Sequence, residues 1–376
     1  MRKVNQSLTL VGLLAVTAII AGCGSSSTSS TSSSASSSSA PSSVAAAKAE
    51  ATKSEQVPTS ILQAGLGSFT PKPGGTIYHV ACNLALEGCT KLSNGIKAGT
   101  EAIGYKFKLC NGGTTPGQIA QCFQTAIAAK PTAIVVNGIG DAEAGASFAA
   151  AASAKVPIVG SFTGDTPGVK GVVTEVAGNA CVKQAKEVAN AIIADSEGKA
   201  NVLFVGTNTF KCNIQRQQSF ISQMKTCSSC KVSTLSFAIE GVTSQLPGQL
   251  QTALQSKPET TYVVGTFDAV ALAATNAVRQ AGKAGSIKVA GFDGDAPNLA
   301  LVKKGEIQRW DDVTGGSEPG FAAVDAAARN AVGKSVPPVT EVTSFLVTQQ
   351  NYAQIAPAYQ GPTGYAAQFA KLWNKG

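Results

Sequence analysis

"AIVVNG" at residues 133–138 and "VLFVG" at residues 202–206 are apolar at nearly every successive position, and each closes on glycine. A strand with one face in water alternates apolar and polar side chains, whereas a strand covered on both faces does not. These two runs are therefore predicted as central strands of parallel sheets, with helices above and below them.

Outward from these runs one grammar repeats: an apolar run, a turn, then an Ala-rich amphipathic stretch. Strands are predicted at 76–82, 105–110, 132–137, 156–161, 171–176, 200–206, 231–236, 260–265, 286–291, 307–313 and 342–348. Between them, Thr115-Pro116-Gly117-Gln118 is a capping-box pattern with proline at the first helical position. Ile119, Cys122, Phe123, Ala126 and Ile127 then share one helix face. Asp268 opens a helix over 269–281 that Gly282 ends. Alternating β and α segments define an α/β fold with mostly parallel sheets. So many strands exceed one ordinary open sheet, which favours two doubly wound lobes over the alternative, a barrel of eight βα units.

The N-terminus reads differently. Arg2 and Lys3 precede an apolar run over 8–20, shorter than the roughly 20 residues a bilayer span needs, so residues 1–22 are predicted as an export signal. The sequence Ile20-Ala21-Gly22-Cys23 resembles the lipobox of bacterial lipoproteins. That resemblance implies cleavage before Cys23, lipidation of its sulfur and anchoring at the outer face of the cell membrane. Residues 23–43 are mostly Ser and Thr and are expected to be a flexible tether. Residues 44–74 are expected to form a linker.

Nine cysteines are present: Cys23, Cys82, Cys89, Cys110, Cys122, Cys181, Cys212, Cys227 and Cys230. Assigning Cys23 to a lipid leaves an even set for disulfides in an oxidising compartment. Many pairings are open; locality favours Cys82–Cys89, Cys110–Cys122, Cys181–Cys212 and Cys227–Cys230. Cys227-Ser-Ser-Cys230 fits a thioredoxin-type C-x-x-C, but it follows a helix and precedes a strand, the reverse of the catalytic arrangement. Irregular cysteine spacing and a single histidine, His79, argue against a metal site.

Net charge is +8, but only 14% of residues are charged and they are scattered, with no basic stripe interleaved with aromatics. Nucleic acid is therefore excluded as a partner, and an anionic envelope surface is compatible. The glycines of "NGIGDAEAG" (137–145) do not make G-x-G-x-x-G, and neither a phosphate loop nor a G-x-S-x-G elbow is present. Asp311 and Asp312 are neighbours in one strand and point to opposite faces, a poor acid/base pair. Neither catalytic residues nor a cofactor is expected.

"VAGFDG" (289–294) sets Gly-Phe-Asp-Gly between a strand and a helix. With "VPIVG" (156–160), "VVGTFDAVALAATNAVRQAG" (263–282) and "KKGEIQRWDDV" (303–313) in order, residues 75–348 resemble the sugar-type, ribose-binding-protein-like solute-binding proteins of bacterial ABC importers. Sugar-sensing repressors share this domain, but the leader and the lack of a DNA-binding headpiece match the transport branch. The resemblance implies two lobes joined by three crossovers, a monomer that captures a small molecule between closing lobes, and delivery to an ABC permease. Lobe one is expected at 75–177 and 315–338, lobe two at 178–314 and 339–349, with a tail at 350–376. A membrane signalling receptor is the alternative partner.

Carried over position by position, the family's ligand-binding aspartate falls on Asp293. The Asp-Arg pair that ends the fourth strand in sugar-binders is Phe162 and Thr163 here. The asparagine preceding Asp268 is Phe267. The arginine after the strand loop "TNTF" (207–210) falls at Ile214, with Arg216 two residues on, and the glutamine after the third crossover falls near 313–315. Asn83, Glu87, Asp311 and Asp312 complete the expected polar anchors. An unpaired hydroxyl costs about 1–3 kcal/mol. Replacing polar groups by phenylalanine therefore points to a ligand less hydroxylated than a pentose, a partly apolar ring compound. A pentose or hexose is the second reading.

Overall fold

Residues 39–355 and 357–375 are described in the computed structural model; the expected export signal, Cys23 and the serine tract up to residue 38 lie outside them. Helix α1 (Ser39–Ser54) opens this region. The first lobe then runs β1 (Thr76–Ala81), α2 (Glu87–Ala102), β2 (Lys106–Asn111), α3 (Pro116–Ala128), β3 (Ala133–Asn137), α4 (Asp141–Ser153), β4 (Ile158–Ser161) and β5 (Val172–Val176). The second runs α5 (Ala180–Asp195), β6 (Asn201–Gly206), α6 (Lys211–Met224), β7 (Lys231–Ser236), α7 (Leu246–Ser256), β8 (Tyr262–Gly265), α8 (Asp268–Gln280), β9 (Lys288–Phe292), α9 (Ala296–Lys304) and β10 (Gln308–Thr314). The chain returns to lobe one with α10 (Glu318–Ala331) and β11 (Val339–Thr340), then to lobe two with β12 (Ser344–Val347), and ends with α11 (Tyr365–Leu372).

Two six-stranded sheets result, ordered β11-β5-β4-β3-β1-β2 and β12-β10-β9-β8-β6-β7. All neighbouring strands are parallel except β10 and β12. This is the doubly wound two-lobe arrangement, not a barrel. The apolar runs at 133–138 and 202–206 form β3, buried at every residue, and β6, buried from Val202 to Gly206. Helices cover both faces of each sheet. In lobe one Phe123 packs 5.4 Å from Phe148; in lobe two Phe204 packs 5.2 Å from Phe220.

The lobes are joined by crossings at 177–179, 315–317 and 341–343. Residues 339–340, expected to begin the last segment of lobe two, instead pair with β5 at the edge of the first sheet. Two residues of strand are too short for an alternation pattern to reveal. Near the second crossing α10 lies close against α2: a Cβ on Gly320 would collide with the Gly95 backbone, so only glycine permits that approach.

The stretch expected to be tether and linker is folded from Ser39 onward. Ala47 and Ala51, four residues apart on one helix face, are buried against Ala185, Val188 and Ile192 of α5. Ile61 and Phe69 then join the core of lobe one. Arg329 donates to the carbonyls of Leu66 (3.2 Å) and Gly67 (2.8 Å), and its guanidinium lies 4.5 Å from the Phe69 ring centroid. Asn351 donates to the Glu55 carbonyl at 3.0 Å, and Gln63 to that of Glu341, in the third crossing, at 2.5 Å. The C-terminal tail spans the lobes as well. Tyr359 packs with Leu299 and Phe345 of lobe two, whereas Phe369 and Trp373 enter the core of lobe one.

Cysteines pair as Cys82–Cys89, Cys110–Cys122, Cys181–Cys212 and Cys227–Cys230. Among the described residues, no group of three or more His, Cys, Asp and Glu side chains is placed to hold a metal ion, and no helix is long and apolar enough to cross a membrane. His79 is fully buried in β1, its Nδ1 2.9 Å from the Val135 carbonyl, and burial pushes its pKa down to about 4.

Candidate functional site: the cleft between the lobes

Open α/β sheets present their ligand-facing loops at the carboxyl ends of the strands. Here those ends face one another across a cavity of about 160 Å³. Lobe one contributes Asn83, Leu86 and Leu92 after β1, Thr114 after β2, Asn137 at the end of β3 and Phe162 after β4. Lobe two contributes Phe210, Asn213 and Arg216 after β6, Ile239 after β7, Phe267 after β8 and Asp293 after β9. The second crossing adds Gly315 and Gly316. Cys82, Cys89 and Cys212 also line it, so two disulfides border the cavity.

Of the residues singled out from the sequence, Asn83, Phe162, Arg216, Phe267 and Asp293 stand on the cavity wall. The others lie behind or beside it. Thr163 is fully buried and donates to Glu175 at 2.6 Å. Asp268 is fully buried under the Asp293 loop, where Oδ2 accepts the Asp295 N–H at 2.6 Å. Asp311 accepts the Gly294 N–H at 3.1 Å from the same interior. Asp312 is fully buried too, and its neighbours there are Glu187 and Lys183 of α5; it does not line the cavity. Glu87 is not on the wall either: its Oε1 accepts the Ala296 N–H at 2.8 Å, reaching from lobe one to the start of α9 in lobe two.

Arg216 is 2% exposed and fully engaged at its outer nitrogens. Nη1 donates to the Thr266 carbonyl (2.5 Å), and Nη2 to Gln184 (3.0 Å) and Asp293 (3.4 Å); the guanidinium sits 4.4 Å from the Phe292 ring centroid. It therefore fixes Asp293 more than it faces a ligand. Burial raises the Asp293 pKa, opposed by the cations of Arg216 and Lys91. Deeper in, Asp268 is raised by burial and then by Asp311. Burial pushes both Asp311 and Asp295 up to about 7.

Two helix starts reach across the cleft. From α2, Lys91 donates to the carbonyls of Asp293 and Gly294 and lies 3.6 Å from Asp295. From α6, Lys211 lies 3.3 Å from the buried Asp165, and Gln215 donates to the Gly164 carbonyl at 2.8 Å. Sequence reasoning passed over Lys91, Lys211 and Phe210. Lys91 follows Glu87 by one helical turn, and Phe210 ends the "TNTF" loop at the start of α6; those spacings were the available signals.

The family model for the periplasmic binding protein domain matches residues 80–335. No curated protein matches the chain. Among solved structures, an ABC transporter solute-binding protein from Agrobacterium vitis with bound allitol is similar, at TM-score 0.68 and 22% identity over 75% of this chain and 97% of that one. A glucose-galactose binding protein from Geobacillus stearothermophilus gives 0.68 and 21% over 74% and 99%. The 5-methylthioribose transporter solute-binding protein from Thermotoga lettingae gives 0.70 and 18% over 82% and 95%. With the domain model matching most of its length, the chain belongs to the periplasmic binding protein family. A periplasmic binding protein domain is a solute-binding domain that works outside the cytoplasm, and the solved structures share its two-lobed fold.

Proposed function

We propose that the receptor captures a partly apolar ring compound and hands it to an ABC permease, held at the membrane by lipid on Cys23. The observation that carries the ligand class is the wall itself. Phe162, Phe210 and Phe267 come from three different strand-end loops and share the cavity with Leu86, Leu92, Ile239 and two disulfides. A sugar with hydroxyls on every edge would leave several of them unpaired against such a surface. Asp293 has its free carboxylate edge for a hydroxyl or amine, and Asn83, Thr114 and Asn213 offer a limited polar edge. The 5-methylthioribose named with the Thermotoga lettingae structure is itself a ring bearing an apolar substituent.

A pentose, hexose or polyol is the second reading, favoured by the allitol of the Agrobacterium vitis structure and by those polar residues. A thermal-shift panel of sugars, polyols, alkylthio-sugars, nucleosides and aromatic acids decides between them. A ligand at 100 times its Kd stabilises by about 2.7 kcal/mol. Shifts confined to ring compounds poor in hydroxyls support the first reading; a shift with a free pentose or hexose supports the second. For the anchor, Cys23→Ala is expected to move the protein from the membrane fraction to the soluble one, and retention would reject lipidation.

A further inference from the structure

Three non-glycine residues on the cavity wall have positive φ: Phe162 (52°), Phe210 (64°) and Asp293 (100°). Such backbone persists in a bulky residue only where the surroundings over-determine it, and it gathers at ligand clamps. Phe210 is distinct among the three because it belongs to both cores. Its side chain packs against the lobe-two cluster that contains Leu203, Val205 and Phe267, and against the lobe-one cluster that contains Val80, Ile119 and Phe123.

The backbone around it is fixed from both directions. Upstream, the Thr209 N–H donates to the Thr207 hydroxyl at 3.2 Å. Downstream, Cys212 is tied to Cys181 of α5. The residues that follow then dock on lobe one through the Lys211–Asp165 pair and the Gln215–Gly164 hydrogen bond. Gly164 itself has φ 75°, and a Cβ there would press on the Cys212 amide at 2.6 Å, so the two backbones meet because that residue is glycine.

We propose that Phe210 is the closing wedge of the cleft, a side chain that joins the two cores where the lobes meet and so sets how long the cavity stays shut. The proposal rests on reading this cavity as the ligand site, yet its test needs no ligand. Truncating the ring removes its contact with the lobe-one cluster, which exists only while the lobes are together, and so favours the open form over and above the packing it loses within lobe two.

Hydrogen–deuterium exchange of the purified protein, wild type against Phe210→Ala and Phe210→Leu, measures this directly. Phe210→Ala is expected to speed exchange in 162–165 and 211–215 about tenfold, with Phe210→Leu intermediate and the amides of β3 and β8 unchanged. Unchanged exchange at 162–165 overturns the proposal, and so does a uniform increase across both lobes, which marks a general packing role. Should Phe210→Ala fail to fold, Phe210→Leu against wild type decides by the same two criteria. The receptor reading fails separately, if no compound in the thermal-shift panel stabilises the wild type.

Discussion

Helix α2 of lobe one and helix α6 of lobe two both start beside a disulfide and both reach the opposite lobe, but they meet different chemistry there. Cys82–Cys89 sets the start of α2, which brings Glu87 and Lys91 onto the 293–296 loop. That loop rests on Asp268 and Asp311, so this clasp is a cation laid over a buried acidic group. Cys181–Cys212 sets the start of α6, which brings an aromatic wedge and one ion pair onto the 162–165 loop. One clasp should respond to pH and salt, the other chiefly to the loss of apolar contact. Their common element is Arg216: it sits on α6, yet it holds Asp293 of the loop that α2 grips.

That shared arginine gives the largest expected effect. Arg216→Met takes the buried donor from the Thr266 carbonyl, Gln184 Oε1 and Asp293, and urea denaturation should show a loss of about 3–5 kcal/mol. A loss below about 1 kcal/mol would mean the two clasps are independent. Next, Asp293→Ala should weaken the ligand found in the panel by about tenfold or more, read by calorimetric titration, with some loss of melting temperature because the buried Arg216 loses its carboxylate partner. Unaltered affinity would remove Asp293 from the site.

Acidity probes the charged clasp. For Asp295 and Asp311 the folded state keeps protons that the unfolded chain, with carboxylates near 4, releases. Their stabilising contribution is therefore complete below about pH 4 and is lost as the pH rises through about 7. Lobe one carries the same sign through Glu175, pushed up to about 8 chiefly by burial, and Glu318, pushed up to about 7 by burial. The melting temperature should rise from pH 8 to pH 5, and Asp311→Asn should flatten part of that slope. A slope untouched by Asp311→Asn assigns it to the other buried carboxylates, Asp295, Glu175 and Glu318. The smallest effect belongs to the exposed Lys97–Glu101 pair, 3.9 Å apart on α2. Lys97→Ala should change stability by less than about 0.5 kcal/mol by the same urea measurement, because solvent screens such pairs.

The sheets were legible because a strand buried on both faces writes its burial as an unbroken apolar run, as in β3 and β6. The cysteine pairs were legible by proximity along the chain. The folded part of 44–74 was not: Ala47, Ala51, Ile61 and Phe69 are dilute signals, and the α5 partners of the two alanines lie more than a hundred residues away. β11 is too short to show a period. Within the site, the sequence marked loops at strand ends, and five of the chosen residues stand on the wall. Depth was hidden. Thr163 and Asp268 each follow a wall residue directly and turn into the interior instead, a one-residue distinction that depends on local backbone. Phe210 was hidden for the same reason, since its role depends on a left-handed φ that no residue type announces.

The disulfides carry a consequence for how the protein is made. Sequence separations of 7, 12, 31 and 3 residues mean that every cysteine after residue 23 bonds the next one along the chain, with no pair nested inside another. If the chain is exported N-terminus first, as its leader is expected to direct, each thiol emerges together with its mate before the next pair appears. Oxidation in order of appearance gives the native set directly, so maturation should depend little on an isomerase to correct wrong pairings.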